Sequence, residues 1–142
     1  MVSLAVALGA AGVVRADLEQ VKAEPNLEKR SKLALDNAQD ALKSAREAYD
    51  KGETAQVEAR AKEILDSVEL AEASLNDTGK NPRKNPRWFK HAEIVTRDLL
   101  KRIDAFQQDM NVADRPMLDS AKAKVQQVHE NLLLGIMEGK HK

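Results

Sequence analysis

The chain has 142 residues, of which 32% are charged and 3% aromatic, with 23 basic and 23 acidic side chains and no cysteine. A disulfide framework, thiol chemistry and thiolate metal sites are excluded. A core must come from Leu, Ile, Val, Met and many Ala, which suits closely packed helices better than sheets.

The N-terminal stretch is the most apolar. Val2 and Leu4 through Val14 are all Val, Leu, Ala or Gly, and Val14-Arg15-Ala16 then gives way to Asp17. This is the outline of a secretory signal peptide over residues 1–16, with a small residue at the cleavage position, although Met1-Val2-Ser3 lacks the usual basic n-region. The run is too short to cross a bilayer, which needs about 20 residues. A buried helix end is the competing explanation, weakened by Gly9 and Gly12, which lower helix propensity. The expected product is exported, periplasmic or extracellular, starts at Asp17, and keeps no membrane span. Residues 17–142 fit a single domain.

Four segments carry helical periodicity. Pro25 and Asn26 start the first, over residues 26–51, where Leu35, Ala38, Leu42, Ala45 and Tyr49 recur at three and four residues, with Ala34, Ala41 and Ala48 alongside, and Gly52 ends it. The second, over 53–77, aligns Val57, Ala61, Ile64, Val68, Ala71 and Leu75 and stops at Gly79. The third, over 86–110, opens with Asn85 as cap and Pro86 in the first helical position, and aligns Trp88, Ala92, Val95, Leu99, Ile103, Phe106 and Met110. The fourth, over 115–138, takes Asp114 as cap, places Pro116 in its first turn, and aligns Leu118, Ala121, Val125, Val128, Leu132 and Ile136 before Gly139. Short connections at Gly52 and at 111–113 make neighbours antiparallel, so the expected fold is all-α: an antiparallel up-down-up-down four-helix bundle made of two helical hairpins. The exposed faces carry acid-then-base pairs four apart, Glu28/Lys32, Glu58/Lys62, Glu93/Arg97 and Asp98/Arg102.

Ala45, Tyr49, the Gly52-Glu53 turn and Ala61 resemble one tetratricopeptide-type hairpin over residues 41–64. The family's second aromatic and closing proline are missing, and the repeat does not recur as a self-supporting array requires. Gly79-Lys80-Asn81-Pro82-Arg83 and the ending Leu132 to Met137 resemble an uncharacterised family of exported all-helical bacterial proteins. That resemblance implies no activity.

The local oddity is a tandem repeat, Lys80-Asn81-Pro82-Arg83 and Lys84-Asn85-Pro86-Arg87, running into Trp88-Phe89-Lys90. No acid occurs from Thr78 to Ala92, while Lys80, Arg83, Lys84, Arg87 and Lys90 are basic. These five cations are candidate anion-binding residues, helped by the donors and dipole of a helix N-terminus. The competing explanation is a solvated linker in which each Asn-Pro offers a helix start. Trp88, on the apolar face of the third helix, is expected in the core rather than as a stacking platform.

Charge divides at this linker. Residues 17–79 hold nine Lys/Arg against fifteen Asp/Glu, and residues 80–142 hold thirteen against eight. This asymmetry suits packing of one hairpin on the other, or head-to-tail packing of two molecules in a homo-oligomer. Near-neutrality of the whole argues against nucleic acid as the partner, since a dedicated binder is usually basic overall. A protein or an anionic envelope component is expected instead.

Chemistry-bearing groups are sparse. His91, His129 and His141 share no metal-ligand spacing, and a di-iron Glu-x-x-His pair would need Glu where Trp88 and Gln126 stand. His129 is expected at the core boundary. Serines 31, 44, 67, 74 and 120 lack a nucleophile-elbow context, and no glycine-rich phosphate loop is present. Glu58, Glu63, Asp66 and Glu69 read as an ordinary exposed face. The expectation is therefore a small helical interaction or structural protein, with no catalytic activity, metal or cofactor. Its alternative is an envelope module that binds anionic ligands through residues 80–90.

Overall fold

The computed structural model of the protein describes residues 18–139. The leader and His141 lie outside the described residues. Within them the chain is 84% helical with no strand, an all-α helical bundle as expected. Four long helices dominate: α1 (Leu27–Asp50), α2 (Thr54–Asp77), α3 (Arg87–Asp109) and α4 (Asp119–Glu138).

The start of α1 follows from Asn26, whose side-chain oxygen accepts from the Lys29 N–H at 2.9 Å. This supplies a partner for one of the first-turn donors that a helix leaves unpaired. At its far end Gly52 adopts φ +73°, a left-handed conformation, and lets the Glu53 N–H reach back to the Ala48 carbonyl at 2.9 Å. The chain then reverses into α2.

The fourth helix differs from expectation. Residues Val112–Leu118 form a 3-10 segment, and the α-helix begins only at Asp119. Pro116 has no N–H to donate, and Asp114, expected as the cap, uses its carboxylate to accept from the Tyr49 hydroxyl at 2.9 Å. Tyr49 oxygen in turn accepts from the Asn111 N–H at 2.9 Å, fastening the end of α1 to the α3–α4 connection.

Direction alternates along the chain, but the hairpins lie side by side with like helices adjacent. Helix α1 packs on α2 and α3, and α4 packs on α3 and α2, whereas α2 and α3 barely touch across the diagonal. Lys124 pairs with Glu69, and Asn131 donates to Glu72, so α2 and α4 run parallel. Arg46 pairs with Asp109 near the ends of α1 and α3, which also run parallel. The connection over residues 78–86 therefore crosses the bundle.

The predicted apolar faces converge on one core. Leu35, Leu42, Ile64, Leu75, Leu99, Ile103, Val125 and Leu132 are buried, and Ala34, Ala38 and Ala45 are fully enclosed. Trp88 is only half-buried and packs on the margin, while its neighbour Phe89 is fully enclosed in its place. Ile136 is likewise marginal. Of the expected surface pairs, Glu93/Arg97 and Asp98/Arg102 form, at 3.0 and 3.8 Å. Lys32 and Lys62 turn instead to Asp36 and Asp66, at 3.0 and 3.2 Å. Glu28 is taken by Lys80.

Candidate functional site

The two Asn-Pro repeats do different things. Asn81 folds its side chain back, so that Oδ1 accepts from the backbone N–H of Arg83 at 2.8 Å and of Lys84 at 3.4 Å. This is the local turn that asparagine favours over regular helix. Its backbone carbonyl accepts from the Asn85 N–H at 2.8 Å, and Pro82 is buried. Upstream, Gly79 at φ +69° turns the chain out of α2, and the Thr78 hydroxyl donates to the Leu75 carbonyl at 2.6 Å.

Asn85 does not cap α3, contrary to expectation. Pro86 already has near-helical angles, φ −80° and ψ −15°, and no side chain bonds the first-turn donors. The helix starts at Arg87 with Pro86 in the cap position, so Asn85 stands one residue too early to serve as the cap.

All five predicted cations belong to this end of the bundle. Lys80 is drawn into a 3.0 Å ion pair with Glu28 on α1 and is thereby neutralised. Arg83, Lys84, Arg87 and Lys90 are exposed, and among the described residues none of them forms an ion pair. Arg87 lies over the Trp88 ring, 5.0 Å from its centroid, the stacking that guanidinium favours. Elsewhere Arg60, Arg97, Lys122 and Lys124 each meet a carboxylate. The C-terminus of α4 closes on the same loop. A Cβ at Gly139 would come within 3.1 Å of Asn81 Oδ1 and 3.4 Å of Arg83 Cβ. An open hollow of about 370 Å³ lies here, between Asn76, Lys80, Asn81, Phe89 and Gly139.

His129 sits at the core boundary and links the second hairpin. Its Nε2–H donates to Glu93 Oε2 at 2.9 Å, and Arg97 donates to the same carboxylate at 3.0 Å. Burial alone would raise the Glu93 pKa, but the bonds from His129 and Arg97 hold it below its ordinary value. His91, beside Trp88, has a buried Nε2 without a hydrogen-bond partner.

The carboxylate face of α2 is less ordinary than expected. The Glu63 side chain is only 13% exposed, and it accepts from Asn37 on α1 at 2.9 Å and from Arg60 at 3.2 Å. Asn37 also donates to Ser67 Oγ at 2.9 Å, a polar link inside the first hairpin. Among the described residues no group of three or more metal-ligating side chains converges. No described helix is long and apolar enough to cross a membrane.

Periodicity alone overlooked one surface. Ile94, Leu133, Leu134 and Met137 are exposed, four of the five large apolar side chains that are so among the described residues. The signal was the unbroken run Leu132-Leu133-Leu134, since one helical stripe cannot bury three consecutive residues. No protein-family model, curated protein or solved structure matches the chain.

Proposed function

We propose that this is a non-catalytic binding protein of the cell envelope, exported by its leader, which holds an anionic partner at the basic end of its bundle. The observation that carries the reading is the group Arg83, Lys84, Arg87 and Lys90, gathered on one turn and the adjoining helix start, exposed, and without carboxylate partners among the described residues. Four cations on a folded turn and the adjoining helix start form a positive surface without first having to break an ion pair. A bare linker would need no such ordering, and Asn81 supplies it through two backbone bonds. Lys80, held by Glu28, orients the loop rather than contacting the partner.

Binding to a soluble polyanion such as polyphosphate tests this. Affinity should fall steeply as salt rises, because bound cations release counterions. Replacing Arg83, Lys84, Arg87 and Lys90 by Gln should abolish binding while the far-ultraviolet circular dichroism stays unchanged. Salt-insensitive binding, or equal binding by that variant, would leave the segment a linker. Export is tested separately: N-terminal sequencing of the native protein should begin at Asp17, and an intact Met1 or Val2 would remove the leader from the reading.

A further inference from the structure

Resting on the anion-binding reading, we propose that the partner is an anionic lipid surface, met by the basic turn together with the exposed aliphatic side chains of α3 and α4. The cations alone would serve any polyanion. What singles out a bilayer is the apolar component beside them. Arg87, Lys90 and Ile94 stand three and four residues apart and are all exposed, so they share the outer face of α3. On the neighbouring helix, Leu133, Leu134 and Met137 share the outer side of the last turns of α4, with Met137 64% exposed.

Two contacts bring these groups together. The His129–Glu93 bond sets the antiparallel register of α3 and α4, which places Leu133, one turn beyond His129, alongside the turn of α3 that carries Lys90. At the end of α4, Gly139 lies so near the loop that an added Cβ would meet Asn81 and Arg83, which puts Met137 within one turn of that approach. Cations and aliphatics are therefore brought to the same end of the molecule.

Each ligand class would use such a surface differently. Soluble polyphosphate has no apolar part for Leu133 or Met137 to meet. An acidic lipid layer engages both kinds of side chain, its headgroups the cations and its acyl boundary the aliphatics. The first hairpin, with fifteen acids against nine bases over residues 17–79, would be repelled by the same layer, which favours approach by the side of the second hairpin.

The test is cosedimentation of the full chain with vesicles of one part phosphatidylglycerol to two parts phosphatidylcholine, alongside the polyphosphate assay. Wild type should bind these vesicles and not pure phosphatidylcholine. Emission from Trp88, the one tryptophan in the sequence, should shift to the blue on binding. Leu133→Gln, Leu134→Gln and Met137→Gln combined should weaken vesicle binding roughly tenfold or more yet leave polyphosphate affinity unchanged. Met137→Gln alone, at the most exposed of the three positions, gives the same direction of change should the triple variant lose helicity. Polyphosphate binding without vesicle binding would overturn the lipid assignment and leave the anion-binding reading intact. Loss of neither interaction in the apolar variants would also overturn it. Failure of wild type in both assays would remove both proposals.

Discussion

Glu93 is the residue on which the second hairpin's electrostatics turn. Its carboxylate is 14% exposed and accepts from His129 on α4 and from Arg97 one turn along α3. Burial raises a carboxyl pKa, but here the two donors outweigh it and the value is lowered. The stabilisation is therefore present above the ordinary carboxyl value of 4.5 and is lost as pH falls through the lower folded value. Glu93→Gln should cost about 1–2 kcal/mol at neutral pH. Urea unfolding across a pH series should show that difference shrinking below about pH 4.5. A difference independent of pH would mean that the carboxylate charge is not what the bond uses.

Single residues also mark what was legible in the chain. Glu93 and Arg97 are recognisable as a surface pair from their spacing, but His129 joins them from 36 residues away, and no local pattern announces it. The same holds for Lys80 and Glu28, 52 residues apart. Trp88 and Phe89 adjoin each other on the helix, and periodicity alone does not decide which points inward. The helix places Phe89 inside and leaves Trp88 at the margin under Arg87.

Among the elements, α1 and α2 approach through alanines. Ala38 and Ala45 are completely buried on the face where the helices meet their neighbours. Ala45→Leu should overpack that interface and cost about 1–3 kcal/mol. Lys43→Leu, on the exposed side, is the control, and similar melting temperatures for the two would show that the interface tolerates the larger side chain. Ser44 is half-buried and serves less well as a control. The Tyr49 hydroxyl is the other element-level device, binding Asn111 and Asp114 across the end of the bundle. Tyr49→Phe should destabilise by about 1–2 kcal/mol and loosen amide protection at Asn111. Unchanged hydrogen exchange there would show that the connection holds without it. Helix existence and inward faces were readable because a three-four alternation permits one stripe only. The start of α4 was not, because Asp114 and Pro116 carry a helix-start pattern whose cap is spent on Tyr49.

For the whole molecule, the two hairpins were readable from Gly52 and from the break after Met110, but their mutual arrangement was not. A connection spanning 78–86 can lead to an adjacent or to a diagonal helix, and only packing chooses. The charge division between hairpins does not resolve into a long seam of ion pairs. The described bridges between the hairpins are Glu28–Lys80, Arg46–Asp109 and Glu69–Lys124, and the four cations at the basic turn remain outside them. Removing Lys124 by substitution with Met should therefore change stability by less than about 1 kcal/mol, because its partner Glu69 is exposed and well solvated. A larger loss in urea unfolding would make that bridge a principal clamp between hairpins.

The diagonal crossing by residues 78–86 also sets an order of events in folding. Each hairpin joins helices that are near in sequence, so each closes cheaply, while docking of the two waits on the longer connection. The first hairpin has the more extensive internal packing, which makes it the natural nucleus. A cavity at Ala38 made by Ala38→Gly should accordingly slow refolding, whereas Val125→Ala in α4 should chiefly speed unfolding. Chevron plots of the two variants would reveal the sequence of assembly, and the reverse pattern would place the nucleus in the second hairpin.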